Sequence, residues 1–466
     1  MSNSINLENI RNQIQEENAL FITNDLQEFL RIPSYSLNSN GIKQAKKFII
    51  NYISEFCEEI NIFEHKINPT IFTEVKGNRP EKLLIYMMYD TQPISKEKDW
   101  ISPPFAAEIS KLNPPLEKLG DCIIARGAYN SKTPLMTFLN VVKILKRENL
   151  LPISLILVFD GEEEIGSPTF REFLNQNRTK LKQCIDCYYP SAKQNLDKTP
   201  VIKMGYKGII SLSIKAYSEN KEPHSAFSNI IANPARDLNI FLNKLYDETG
   251  FKIKILVEPY KYNNSEKVIF ENLIEKISMD DVINKAGINR IIDSDVKSAF
   301  LKYLFQPTFN ISSLKSGYLE NGYKNMVANS ALANIDIRFA HDISPEQIFN
   351  DIKNKLQKFI IKSASKFDLK YNMGYSGSRV PIDSTISKVF LKTCKDINLE
   401  PEIWPLSPAA APLSIIKTNL NKNFIVGGLG IGGFAHAPNE FVQLDSLIDA
   451  QIFNLNFLNN YSRFLE

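Results

Sequence analysis

The chain has 466 residues, 43% of them hydrophobic and 23% charged, an ordinary globular balance long enough for two or more full-sized cores. With 55 basic against 52 acidic side chains the net charge is +3, so no basic field argues for nucleic acid. The longest apolar runs have strand length and cannot span a bilayer.

Apolar positions at helical spacing across 5–31 predict a helix ending near Pro33, and IKQAKKFIINYISEF (42–56) predicts a second. KLLIYMMY (82–89) and ISLILVF (153–159) are continuous apolar runs bounded by turn residues, as suits strands buried on both faces. Between them TPLMTFLNVVKILKREN (133–149) has helix period, which completes a βαβ unit. Ligands in such sheets bind beyond the carboxyl ends of the strands, where Asp90 stands after one run and Glu162, Glu163 and Glu164 after the other. CIDC, at Cys184 and Cys187, has no second pair downstream, so these cysteines are expected to be strand residues rather than zinc ligands.

From Gly208 the pattern changes. GIISLSIKAYS (208–218) and ALANIDIRFA (331–340) alternate like half-exposed antiparallel strands, and helices are predicted at 233–248 and 344–360. Core character returns with a helix through VFLKTC, a buried strand NFIVGGLG (423–430) and a final helix from 443. The expected fold is therefore α/β, with a mixed, largely parallel sheet flanked by helices. It is a discontinuous domain (1–207 and 381–466) interrupted by an inserted α+β domain at 208–380. An odd count of five cysteines and a polar, mixed-charge N-terminus unlike a signal peptide point to a cytoplasmic setting.

Four segments carry chemistry: YDTQP (89–93), RGAYNSKTPL (126–135), DGEEEIGS (160–167) and AHAPNE (435–440). Three adjacent glutamates repel one another and raise each other's pKa unless a cation neutralises them. Together with DWISPPF (99–105), EPHSAFSNIIANPA (222–235) and NMVANSALANIDIRF (325–339), these segments resemble the carnosinase, aminoacylase and glutamate-carboxypeptidase family of dinuclear zinc hydrolases. The resemblance covers almost the whole chain, with order and spacing in agreement. It implies a zinc-peptidase-like catalytic domain with a dimerisation or lid insert, and hence a homodimer formed through that insert.

The resemblance implies a role for each matching residue. Glu163 is the general base, Glu164 and His436 are metal ligands, and Asp90 orients a first histidine ligand. His224, in the insert, stabilises the oxyanion in the partner's site, and Arg338 pairs with the substrate carboxylate. The remaining ligands are replaced. Met88 stands where the first histidine is expected, Asn130 where the bridging aspartate is, and Pro190, Ser191 or Ala192 where the last aspartate is. A thioether is a poor ligand for zinc, and an amide oxygen is a neutral, weak donor that cannot bridge two dications as a carboxylate does. Asp186 could replace the lost aspartate only through a register shift. The pocket loop of the family corresponds to PAAAP (408–412), its glycines and serine gone.

A dinuclear zinc centre is therefore not expected. The cofactor expectation is none, or one weakly held divalent ion, Zn or Mn, on Glu164 and His436 with Asn130 as a weak third donor. Asn130, His224 and Arg338 are the expected contacts to a small amino-acid-derived or dipeptide-like amide. Three functional readings follow: metal-independent chemistry with Glu163 as base, a non-catalytic ligand-binding or regulatory relative, and a mononuclear metal-dependent dipeptidase or deacylase. No nucleic-acid or membrane partner is expected.

Overall fold

The computed structural model describes residues 7–95, 97–277, 288, 290–293 and 295–466. In chain order the main elements are helices α1 (Leu7–Leu20) and α2 (Ser39–Ile53), strands β1 (Ile60–Phe63), β2 (Thr70–Val75) and β3 (Lys82–Met88), helix α3 (Lys132–Arg147), and strands β4 (Ser154–Asp160) and β5 (Cys184–Pro190). Then come β6 (Gly205–Tyr217), α4 (Pro234–Asn243), β7 (Thr308–Ser316), β8 (Ser330–Phe339), α5 (Pro345–Ile360) and β9 (Lys366–Tyr375). The chain closes with α6 (Thr385–Asp396), β10 (Phe424–Gly427) and α7 (Ser446–Phe464). It divides into two compact units: 1–204, 380–404 and 415–466 form one, 205–379 and 405–414 the other.

The first unit holds a six-stranded sheet in the order β1-β2-β4-β3-β5-β10. Its first two pairings are antiparallel, and β4, β3, β5 and β10 run parallel to one another. This is the mixed, largely parallel sheet the apolar runs predict. Every residue of β4 is buried, as is β3 from Leu83 to Met88, because helices cover both faces. Lys82 lies opposite Ser154 and Met88 opposite Asp160, so the βαβ unit closes with its two carboxyl ends level. That register sets Asp90 beside the glutamates after β4. The helix predicted over 5–31 continues beyond α1 as a π-helical segment, Phe21–Leu26, and a last turn at Gln27–Leu30; residues 5 and 6 lie outside the described residues.

A second, four-stranded antiparallel sheet in this unit joins Gly432–Gly433, Phe441–Gln443, Cys122–Ile124 and Glu108–Ser110. These strands are too short to show periodicity. Phe441 pairs with Ile124, which brings residues 125–130 and Glu440 together across more than 300 positions of sequence.

The second unit is an antiparallel sheet in the order β7-β8-β6-β9. Along β8 buried residues alternate with half-buried ones, and the inward set (Ala331, Ala333, Ile335, Ile337, Phe339) packs with α4 and α5 through Leu238, Phe241, Ile348 and Ile352. Two strands and two helices are predicted for this segment. The sheet in fact has two more strands, β7 and β9, and further helices at Asn264–Lys276 and Val296–Phe305. PAAAP falls largely in a short strand, Ser407–Ala410, that pairs with β6. No helix among the described residues is long and apolar enough to cross a membrane.

Candidate functional site

The site grows from the carboxyl ends of β3, β4 and β5. After β4 the chain turns through Gly161 into a single 3₁₀ turn, Glu163–Ile165. Glu162 faces away from the other two glutamates. Its carboxylate accepts from the backbone N–H of Asn68 (3.1 Å) and of Thr169 (3.2 Å), so it is a buried brace for the loop. The three acids therefore do not share one space.

Asp90 fixes where Glu163 and Glu164 point. It is 0% exposed. The Glu163 N–H donates to its Oδ1 (3.2 Å), and the Glu164 N–H and the Ser36 hydroxyl donate to its Oδ2 (3.0 and 2.7 Å). Burial lifts this carboxyl well above the usual range, with Asp160 adding to the rise, while the Ser36 and Glu164 hydrogen bonds oppose it. Expected as an orienting residue without its imidazole, Asp90 instead holds the loop that carries the two glutamates. Being fully covered, it is a positioning residue rather than a catalytic one.

Glu164 is nearly covered, its side chain 4% exposed, yet it has three donors. Asn130 Nδ2 donates to Oε1 (2.8 Å), Gln92 Nε2 donates to Oε2 (2.7 Å), and His436 Nε2 lies 3.3 Å from Oε2. The carboxylate raises the His436 pKa, although the imidazole is half exposed. Asn130 is held in turn by Glu440, whose carboxylate accepts from the N–H groups of Gly127, Tyr129 and Asn130 (2.9, 3.0 and 2.7 Å) and from Arg126 Nη1 (2.7 Å). The Arg126–Glu440 pair is 1% exposed on each side. Such a pair, with its lone pairs filled, fixes the loop's shape more surely than it adds stability.

Glu163 makes no side-chain hydrogen bond among the described residues. Burial raises its pKa well above the carboxylate range; Glu164, Asp90 and Asp160 push the same way, and Lys193 pulls it down.

The positions that would complete a metal centre look different. Met88 is buried at the end of β3, Ser191 follows β5 with its N–H bonded to the Gly427 carbonyl (2.9 Å), and Asp186 is tied to Tyr461 (2.9 Å) inside β5. Asp186 thus makes no replacement ligand. Asn130 turns its NH₂, a donor, toward Glu164. Among the described residues no group of three or more His, Cys, Asp or Glu side chains is placed to hold a metal ion. By donor chemistry this set does not fit a two-metal centre. Cys184 and Cys187 are buried free thiols on β5.

His224 and Arg338 lie in the second unit. The His224 ring accepts the Ala226 N–H on Nδ1 (3.2 Å) and caps a short 3₁₀ turn, so its neutral form carries the proton on Nε2. Arg338 stands on the half-buried face of β8, and its guanidinium has no hydrogen bond or ion pair among the described residues. Gln92, Ser36 and Glu440 were not anticipated as site residues. The Gln in YDTQP and the Glu in AHAPNE were the available signals, though neither reveals its partner.

A parallel α/β sheet with convergent carboxylates at its strand ends, joined to an antiparallel α+β unit, is the build of a peptidase-type hydrolase. The chain belongs to Peptidase family M20/M25/M40, whose model matches residues 84–460. It is similar to the Cys-Gly metallodipeptidase dug1 of Schizosaccharomyces pombe, 23% identical over 95% of this chain and 96% of that protein. It is also similar to the Beta-Ala-His dipeptidase of Mus musculus, 23% identical over 80% of this chain and 76% of that one. Among solved structures it resembles an M20 family metallo-carboxypeptidase from Sulfolobus solfataricus, with a TM-score of 0.82 and 27% identity over 94% of this chain and 98% of that one.

Proposed function

We propose that this chain binds, and acts on, a small dipeptide-like amide bearing a free carboxylate, without a dinuclear metal centre and with Glu163 as general base. The observation that carries the reading is the contrast between the two glutamates. Glu164 is saturated by amide and imidazole donors, whereas Glu163 is held by its backbone with its carboxylate unpaired. An unpaired, half-buried carboxylate at a strand end is suited to take a proton from a nucleophile attacking a carbonyl. The likeness to dipeptidases supports the substrate class. His224 is proposed as an oxyanion donor to the partner subunit's site, and Arg338 as the partner of a ligand carboxylate.

The test is turnover of Cys-Gly and β-Ala-His in the presence of a chelator, by wild type and Glu163→Gln. Chelator-resistant turnover is expected, with kcat about 100-fold lower in the variant and KM little changed. Binding of these dipeptides without turnover would leave a ligand-binding relative instead. The His436–Glu164 contact of 3.3 Å favours one further reading, a mononuclear enzyme. Turnover that needs added Zn²⁺ or Mn²⁺ and disappears in His436→Ala would replace the proposal with that one.

A further inference from the structure

The carboxylates Asp90, Asp160 and Glu164 near the ends of β3 and β4 are met by neutral donors, and Glu163 beside them is unpaired among the described residues. The donors around Glu164 and Asp90 are amides, a hydroxyl and one imidazole. Arg126 is consumed by Glu440, whereas a second cation, Lys193, is not paired among the described residues. Lys193 lies three residues past the end of β5 and two past Ser191. Its main chain is pinned. Its carbonyl accepts the Val201 N–H (2.8 Å), and the next residue, Gln194, accepts the Gly430 N–H (2.8 Å) and donates to the Lys198 carbonyl (2.8 Å).

From that anchored backbone the ammonium reaches 5.5 Å from the ring centroid of Tyr129, the neighbour of Asn130. The Tyr129 N–H is fixed by Glu440 (3.0 Å), so ring and ammonium share one frame. Lys193 is half-buried, and its ammonium makes no hydrogen bond or ion pair among the described residues. The ammonium thus stands beside the Tyr129–Asn130 stretch of the site with its donors free among the described residues.

We propose that Lys193 supplies positive charge to the site and binds an anionic oxygen of the ligand beside Tyr129. This rests on the reading above that no dinuclear centre fills the site. Lys203, half-buried beside Trp404, has a pKa lowered to about 8, first by burial and then by Lys193.

The test compares Lys193→Met and Lys193→Arg with wild type, using N-acetylglycine and its uncharged amide as probes in calorimetric titrations. Lys193→Met should weaken the acid tenfold or more and leave the amide within twofold, and Lys193→Arg should keep the acid within about threefold. Equal effects on both probes, or no loss in Lys193→Met, would overturn the assignment. If neither probe binds any form, the substrate reading fails, and a double-mutant cycle of Lys193→Met with Glu163→Gln, read from unfolding equilibria, decides. A coupling of threefold or more in the folding constant supports Lys193, and strict additivity overturns it.

Discussion

Asp90 joins the strand end to the loop that follows β4. Its two oxygens take three hydrogen bonds, one from a side chain and two from successive backbone N–H groups. Both oxygens are in use, so the isosteric Asp90→Asn must turn an NH₂ toward a backbone N–H whichever way the amide lies. We expect a loss of about 2 kcal/mol in denaturant unfolding, with faster amide exchange at Glu163 and Glu164. An unchanged midpoint and unchanged exchange would mean the loop is held from elsewhere. At this scale the sequence shows which residue types are present but not what they touch. Glu163, Glu164, His436 and Asn130 were legible through their motifs. The grip of Glu440 on Asn130 was not, since it spans 310 positions and depends on a three-residue strand pairing. Nor was the turn of Glu162 away from its neighbours, which its hydrogen bonds to Asn68 and Thr169 decide.

Two buried lysines act at the ends of helices. Lys132 Nζ donates to the carbonyls of Phe29 and Ile32 (3.0 and 2.6 Å), just where the first long helix stops. Lys207 Nζ donates to Tyr303 and Gln306 (2.8 and 2.7 Å) at the end of the helix Val296–Phe305. Each fills carbonyls that a helix C-terminus leaves without partners. Burial first, then Arg338 and Arg379, brings the Lys207 pKa down to about 7. Between pH 7 and the ordinary lysine range the unfolded chain therefore binds more protons than the folded one, and stability rises with pH. The difference in unfolding free energy between wild type and Lys207→Met should be flat below about pH 7 and grow in favour of wild type by about 1 kcal/mol per unit above it. A flat difference from pH 6 to 9 would show an unperturbed amine. Element legibility followed burial. The runs that became β3 and β4 announced themselves because helices cover both faces. The residues of β7, TFNISSLKS, are almost all exposed, so that strand carried little periodic signal, whereas β9, KFDLKYNMGY, alternates polar and apolar residues and was there to be read.

At the scale of the whole molecule the question is whether a metal ion takes part in holding the fold. The first unit carries a sheet with strands buried on both faces, and its site loops are closed by protein groups. Asp90 holds Glu163 and Glu164, Glu440 holds 127–130, and Asn130, Gln92 and His436 surround Glu164. In a site built around metal, these carboxylates would repel one another once the ion was withdrawn, and unfolding would respond. A ligand present at about 1,000 times its Kd stabilises the folded state by about 4 kcal/mol, which moves a midpoint by on the order of ten degrees in a domain of this size. Here Asp90 and Glu164 have protein donors without an ion, and Glu163 alone is left unpaired among the described residues. Thermal unfolding followed by calorimetry should therefore shift by less than about 2 °C between chelator and saturating Zn²⁺. A shift near ten degrees, lost in Glu164→Ala, would show that the amide of Asn130 yields its place to a tightly held ion. The hydrogen bonds around Glu164 would then describe only the metal-free state of a metalloenzyme.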